Sequence, residues 1–178
     1  MIAACYLVGH ASAPPKDLCR VGSGSARSPE MHYDGSFEVS VPKERVYDFV
    51  MDPVKITSIF PDVQDFKIID ENNFSLKAKV GVSFIRGMMD VKMSIVERRP
   101  PTFAKMKAKG NGMSSSVELE NTFTMEDAPG GSGTLVKWGA DAKIGGLMAS
   151  VGSRLIDAAA QKYVVEIIGS LKEKLASS

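Results

Sequence analysis

Apolar and polar positions along this chain follow two periods, one of strands and one of helices. From Tyr33 to Val41, apolar and small side chains fall on odd numbers (Tyr33, Gly35, Phe37, Val39, Val41), which predicts a half-buried strand. Pro42 suits the first turn of a helix, and KERVYDFVMD follows it. Asp52-Pro53 breaks that helix, and Asp52 then caps a short second one, VKITSIF, ended by Pro61. DFKIID (Asp65 to Asp70) reads as a strand, with a turn at Glu71-Asn72-Asn73. The cleanest alternation comes next: Phe74, Leu76, Ala78, Val80, Val82 and Phe84 point one way, with Ser75, Lys77, Lys79, Gly81 and Ser83 between them. A turn is expected at Arg86-Gly87. Met89, Val91, Met93 and Ile95 then face inward until Pro100-Pro101. Ala104, Met106 and Ala108 define another strand, Gly110-Asn111-Gly112 another turn, and Val117, Leu119, Phe123 and Met125 the next strand. After the Gly-rich loop 129–133, Val136, Trp138, Ala140, Ala142 and Ile144 line one face of a last strand.

The final stretch changes period. From Gly145 to Ala176, Leu147, Val151, Leu155, Ala159, Tyr163, Ile167, Leu171 and Leu175 recur every fourth residue, with Met148, Gly152, Ile156, Ala160, Val164 and Ile168 beside them. This predicts one long helix, about 45 Å at ~1.5 Å per residue. Its first half is padded with small residues (Ala149, Gly152, Ala158, Ala159, Ala160) and its second half is bulky. The first half is expected to wall a pocket, and the part from Tyr163 onward to plug it. The element order is strand, two short helices, six strands and a long helix. Short turns imply sequential antiparallel pairing, and the apolar sheet face needs the terminal helix as its cover. The expected class is α+β: a curved seven-stranded antiparallel sheet wrapped around one helix.

Composition narrows the function classes. The 178 residues are 44% hydrophobic and 24% charged, ordinary for a single globular domain. The formal charge of +1 provides no general attraction to nucleic acid. No apolar run approaches the ~18 residues of a membrane span. Residues 1–30 lack either period and are rich in Pro, Gly, Ser and Ala, so they read as a disordered or non-native leader, with the patterned ligand-binding domain over 31–178. That leader holds both cysteines (Cys5, Cys19) and His10; His32 is the one other histidine. The domain therefore has no cysteine cluster for zinc and no nucleophile–histidine pair, and no catalytic or metal-binding residue is expected. The Gly-rich segments match neither a phosphate loop nor a dinucleotide fingerprint. Asp90, Glu97 and Asp141 fall on outward faces, leaving Tyr33, Asn121 and Tyr163 as inward polar groups. Lys77, Lys79, Lys92, Lys105, Lys107 and Lys109 share the outer sheet face, where Glu118 and Glu120 are placed to pair with them.

With these elements in place, the chain resembles the helix-grip superfamily, which includes START lipid-transfer domains, polyketide cyclases and plant pollen allergens. More narrowly, it is similar to the G-subunit family of carbon monoxide dehydrogenase. The resemblance covers Tyr33 to about Leu175. It rests on Asp52-Pro53 with the following IFPDV run, on KAKVGVSFIRGMMDVKMSIVERRPP, and on GTLVKWGADAKIGGLMASVGSRLIDAA. The family usually has Pro-Gly where this chain has Pro61-Asp62. The resemblance implies a cytoplasmic accessory to a molybdenum hydroxylase complex. Such a protein binds a lipophilic molecule such as a quinone or lipid, without a covalent cofactor, and makes peripheral contact with the membrane.

The candidate ligand-lining residues are the inward positions opposite the small-residue half of the helix: Val82, Phe84, Met89, Val91, Met93, Met106, Trp138, Ala140, Met148, Ala149, Gly152 and Ile156. Ile56, Ile59 and Phe60 are expected to form a lid. Thioethers adapt to irregular ligands, though methionine also fills gaps in ordinary cores. Trp138 suits either a core anchor or an aromatic wall. Two other readings fit the same fold: a cyclase-like or hydrolase-like enzyme, which needs inward polar groups, and a ligand-free interaction module using the lysine face.

Overall fold

A computed structural model describes residues 30–177. The leader expected over residues 1–30 lies outside the described residues except for Glu30. That residue opens the first strand, β1 (Glu30–Val39), and pairs with Lys143. Two short helices follow, α1 (Lys43–Met51) and α2 (Pro53–Thr57). Asp52 caps α2, its carboxylate accepting hydrogen bonds from the backbone N–H groups of Val54 and Lys55. Six strands then run in sequence: β2 (Val63–Ile68), β3 (Asn73–Val82), β4 (Ile85–Arg99), β5 (Phe103–Gly112), β6 (Ser115–Asp127) and β7 (Thr134–Gly146). All pairings are antiparallel, in the order β1-β7-β6-β5-β4-β3-β2. A 3₁₀ turn (Leu147–Val151) leads into α3 (Ser153–Ser177), which lies across the inner sheet face.

Two turns differ from expectation. β3 and β4 join through Ser83-Phe84, since Val82 pairs with Ile85. β5 and β6 join through Met113-Ser114, since Gly112 pairs with Ser115. Ser83, Met113 and Ser114 take the positive φ that such tight hairpins require, at 56°, 54° and 53°. The glycines expected to turn the chain lie inside strands instead. A Cβ on Gly112 would sit 2.4 Å from the Met88 carbonyl oxygen, so close strand packing explains that glycine.

The long helix also begins later than its periodicity suggests. Gly145 and Gly146 complete β7, and Gly152 (φ 89°, ψ 149°) separates the 3₁₀ turn from α3. This backbone region is essentially reserved for glycine, so a continuous helix from Gly145 is broken there. Leu147 and Leu155, expected on the buried stripe, are exposed as a result. The buried anchors of α3 are Ile156 at one end and Leu171 and Leu175 at the other.

Candidate functional site: an apolar cavity under the long helix

The apolar interior is divided in two. The larger cluster joins α1, α2 and the middle of the sheet to Leu171 and Leu175. The smaller one gathers Val82, Ile85, Met89, Ile144, Met148 and Ile156 at the other end of α3. Between them, beneath the half-buried middle of the helix, lies a cavity of about 280 Å³. Inward residues of β3–β7 form its floor, with Leu76, Ala78, Val80, Ala108, Val117, Leu119 and Ile144 among them. Ala159, Ala160, Tyr163 and Ile167 of α3 form its roof, and Phe60 and Pro61, just after α2, stand at one side. The partly exposed Phe60, Pro61, Val80 and Tyr163 mark where it approaches the surface.

Small residues leave this space open. Gly110 of β5 lines the cavity, and a Cβ there would lie 2.7 Å from the Met89 Sδ. Ala108, Ala159 and Ala160 leave room beside it where a longer chain would fill the gap. The cavity extends past Tyr163 to Ile167, so the plug begins at Leu171 and not at Tyr163.

Two lining side chains are polar. Tyr163 accepts a hydrogen bond at its hydroxyl from the Gly81 N–H (3.2 Å), which ties α3 to the end of β3. Asn121 interrupts the inward row of β6 that otherwise carries Val117, Leu119, Phe123 and Met125. Among the described residues, no lysine, arginine, histidine or carboxylate lines the cavity. The third polar residue expected to face inward, Tyr33, donates to the Asp157 carboxylate at 2.7 Å, outside the lining. Burial first, and then that hydrogen bond, push its phenol well above the usual tyrosine range.

Of the positions expected from sequence, Phe60, Val82, Met89, Val91, Met93, Met148 and Ile156 line the cavity. The others lie elsewhere. Ile56 and Ile59 are buried in the larger cluster and form no lid. Phe84 is 79% exposed, because it occupies the hairpin tip where alternation ends. Met106 belongs to the packed core. Trp138 lies over its β1 partner Gly35, where a Cβ would approach the indole to 3.0 Å, and its Nε1 is buried without a hydrogen-bond partner among the described residues. Ala140 is buried in β7 beside its cross-strand partner Asn121 and does not itself line the cavity. Ala149 packs against the smaller cluster from the 3₁₀ turn, and Gly152 has open space beside it. Periodicity marks Leu76, Val80, Leu119 and Ile144 as inward, but choosing them as lining requires the position of α3.

The outer sheet face is a lattice of ion pairs. Glu120 bridges Lys105 and Lys107, Lys109 meets Glu118 at 2.9 Å, and Lys77 meets Asp90 at 3.5 Å. Hydrogen bonds from these lysines hold the Glu118 and Glu120 carboxyls below the usual carboxylate range. Cross-strand pairing accounts for Lys77, Lys105, Lys107 and Lys109, while Lys79 and Lys92 take no part in these ion pairs.

A curved antiparallel sheet gripping one long helix defines the helix-grip fold class. Within it, the chain belongs to the carbon monoxide dehydrogenase G-subunit (CoxG) family, whose model matches residues 35–176. Solved structures agree on the fold. A conserved protein from Geobacillus kaustophilus superimposes with a TM-score of 0.76 at 20% identity, covering 83% of this chain and 97% of the other. The Zhui aromatase/cyclase from Streptomyces sp. R1128 gives 0.63 at 10% identity, covering 83% and 94%. A START superfamily protein from Mycobacterium smegmatis gives 0.60 at 11% identity, covering 82% and 97%. No curated protein matches the chain in sequence.

Proposed function

We propose that this protein is a non-catalytic carrier that holds a lipophilic small molecule, quinone-like or lipid-like, in the cavity beneath α3. It does so as a cytoplasmic accessory to a carbon monoxide dehydrogenase or related molybdenum hydroxylase. The observation that carries the ligand reading is the cavity itself: about 280 Å³, with Asn121 and Tyr163 as its only polar side chains among the described residues. At ~24 cal/mol per Å³, a dry void of that size would cost about 7 kcal/mol. That is comparable with the whole net stability of a domain, ~5–15 kcal/mol. Because the cavity is part-open to solvent, the alternatives to a ligand are water against apolar walls or a costly dry space, and a lipophile removes both. The redox-complex reading rests on family membership.

The absence of charged groups from the lining separates this reading from a cyclase or hydrolase. General acid–base chemistry at neutral pH calls for a group that titrates nearby, and the described lining contains only a phenol and a carboxamide besides its apolar groups. The open interior weighs against a ligand-free interaction module.

The test is native mass spectrometry of the purified full chain, with solvent extraction of whatever accompanies it and titration with decylubiquinone and oleate. The expected result is a co-purifying lipophile or saturable one-to-one binding of at least one probe. Protein that purifies bare and binds neither probe would overturn the proposal.

A further inference from the structure

We infer that Asn121 sets the specificity of the cavity: it takes a neutral lipophile that carries an oxygen acceptor, seated polar end inward, and turns away an ionised one. The inference rests on the carrier reading and narrows it to a ligand class. Asn121 stands on the inward face of β6, in a row with Val117, Leu119, Phe123 and Met125, and lines the cavity. Its cross-strand neighbours are Met106 on β5 and Ala140 on β7, neither of which offers an amide or hydroxyl side chain. β6 is paired on both sides, so the adjacent backbone groups are taken up by the sheet. No group among the described residues hydrogen-bonds the carboxamide. Asparagine is depleted in strands, and a polar group turned into an apolar interior without a partner destabilises the fold. Leucine or valine would pack there without that penalty. The carboxamide opens onto the cavity, so a ligand can supply the partner that the fold does not.

The chemistry of the lining defines the polar end of the ligand. A carboxamide donates through its N–H groups and accepts at its oxygen, so it suits a carbonyl, an ester or a hydroxyl. Among the described residues no cation lines the cavity, and a carboxylate or phosphate seated inside would hold its charge desolvated and unpaired. A bound water is a poor substitute, because it is held by about three polar partners. The other polar lining group lies across the sheet. The Tyr163 hydroxyl is fixed at Gly81 of β3, three strands from β6, or about 14 Å of sheet at ~4.8 Å per strand. Phe60, Pro61, Val80 and Tyr163 mark the opening on that side. A ligand that reaches Asn121 therefore enters polar end first and leaves its apolar remainder toward the opening. The Tyr163 hydroxyl accepts from Gly81, and its own proton has no acceptor among the described residues. It gives a second ligand oxygen, nearer the opening, a donor.

The experiment is titration of the full chain at pH 8 with matched probes of one carbon count: hexylbenzene, which has no oxygen, hexanophenone, a ketone, and 6-phenylhexanoate, a carboxylate. The ketone is expected to bind tightest, and the carboxylate at least about tenfold more weakly. Asn121→Leu should lower the preference for ketone over hydrocarbon about fivefold, the worth of one neutral hydrogen bond. Asn121→Ala, which cannot crowd the cavity, should lower it equally, and circular dichroism is expected to show both variants folded. The infrared carbonyl band of bound hexanophenone should lie at lower frequency in the wild type than in either variant. Carboxylate affinity equal to that of the ketone, its charge left at the opening, would overturn the inference. So would a ketone preference that survives both substitutions. In either case the cavity still holds a lipophile and the carrier reading stands. Binding of none of these probes, with decylubiquinone and oleate also refused, would remove the carrier reading and this inference with it.

Discussion

The Tyr33 hydroxyl donates a 2.7 Å hydrogen bond to Asp157, linking the edge strand β1 to the first turns of α3 across 124 residues of sequence. With the Tyr163–Gly81 bond on the β3 side, it holds the helix from both flanks of the sheet. The stretch of α3 that carries these ties, from Ile156 to Ile167, lines the cavity.

The Tyr33 tie has a pH signature. The folded protein raises the phenol pKa, by burial first and then through Asp157, so the native state keeps a proton that the unfolded chain releases near ~10. The contribution is complete below that value and is lost as pH climbs above it. Tyr33→Phe should cost about 1–2 kcal/mol at neutral pH, the lower part of the range for a charged acceptor because the pair is only part-buried. It should also flatten the alkaline decline in urea midpoint between pH 9 and 11. An unchanged alkaline limb would show that Tyr33 does not carry it; Tyr47, also raised by burial, would then be the candidate.

Filling the roof should separate stability from binding. Ala160→Leu extends a side chain into the void beneath α3. It is expected to raise stability by about 0.5–2 kcal/mol and to weaken probe binding at least about tenfold. Thermal melts and native mass spectra on one sample check both outcomes. Normal probe binding would place the ligand elsewhere.

Gly152→Leu makes the contrasting case. The helical stripe assigns Gly152 to the pocket wall, but no atom of the described residues beyond its chain neighbours lies within 4 Å of where its Cβ would sit, and its φ of 89° disfavours any other residue. The expected result is a loss of about 1–3 kcal/mol from backbone strain, with probe affinity retained in the folded fraction. Urea melts and titration below the transition distinguish this from pocket blockage.

The outer face should respond to acid through Glu120. Hydrogen bonds from Lys105 and then Lys107 lower its pKa, so its contribution is present above the unfolded value near ~4.3 and is lost as pH falls through the native value. Glu120→Gln should therefore narrow the difference in melting temperature between pH 6 and pH 3. An identical acid limb in wild type and variant would remove Glu120 from that role.

Strand alternation is legible because it is enforced locally: a residue on the wrong face of a half-covered sheet exposes an apolar group or buries a charge, and Phe74 to Val82 obey that constraint without exception. Turns are less legible. Ser83-Phe84 and Met113-Ser114 carry no conventional turn signal, while Gly87, Gly110 and Gly112 carry one but serve close packing within strands. The pocket is half legible. Met89, Met93 and Ile156 follow from facing inward, but so do Met106 and Trp138, and alternation cannot tell a side chain that meets a neighbour from one that meets a void.

Period and residue type dictate the order of elements, which sheet face is apolar, the need for a covering helix and the poverty of acid–base groups inside. Other features emerge only on folding: where α3 begins, which end of it bridges and which end seals, and that Phe84 and Leu147 reach the surface although alternation and the helical stripe point them inward. The physical reason is that a cavity and an exposed tip depend on distances between elements remote in sequence. Gly152 resets the helix axis, and Ile156 and Leu171 then pin it at two ends with the space left between them.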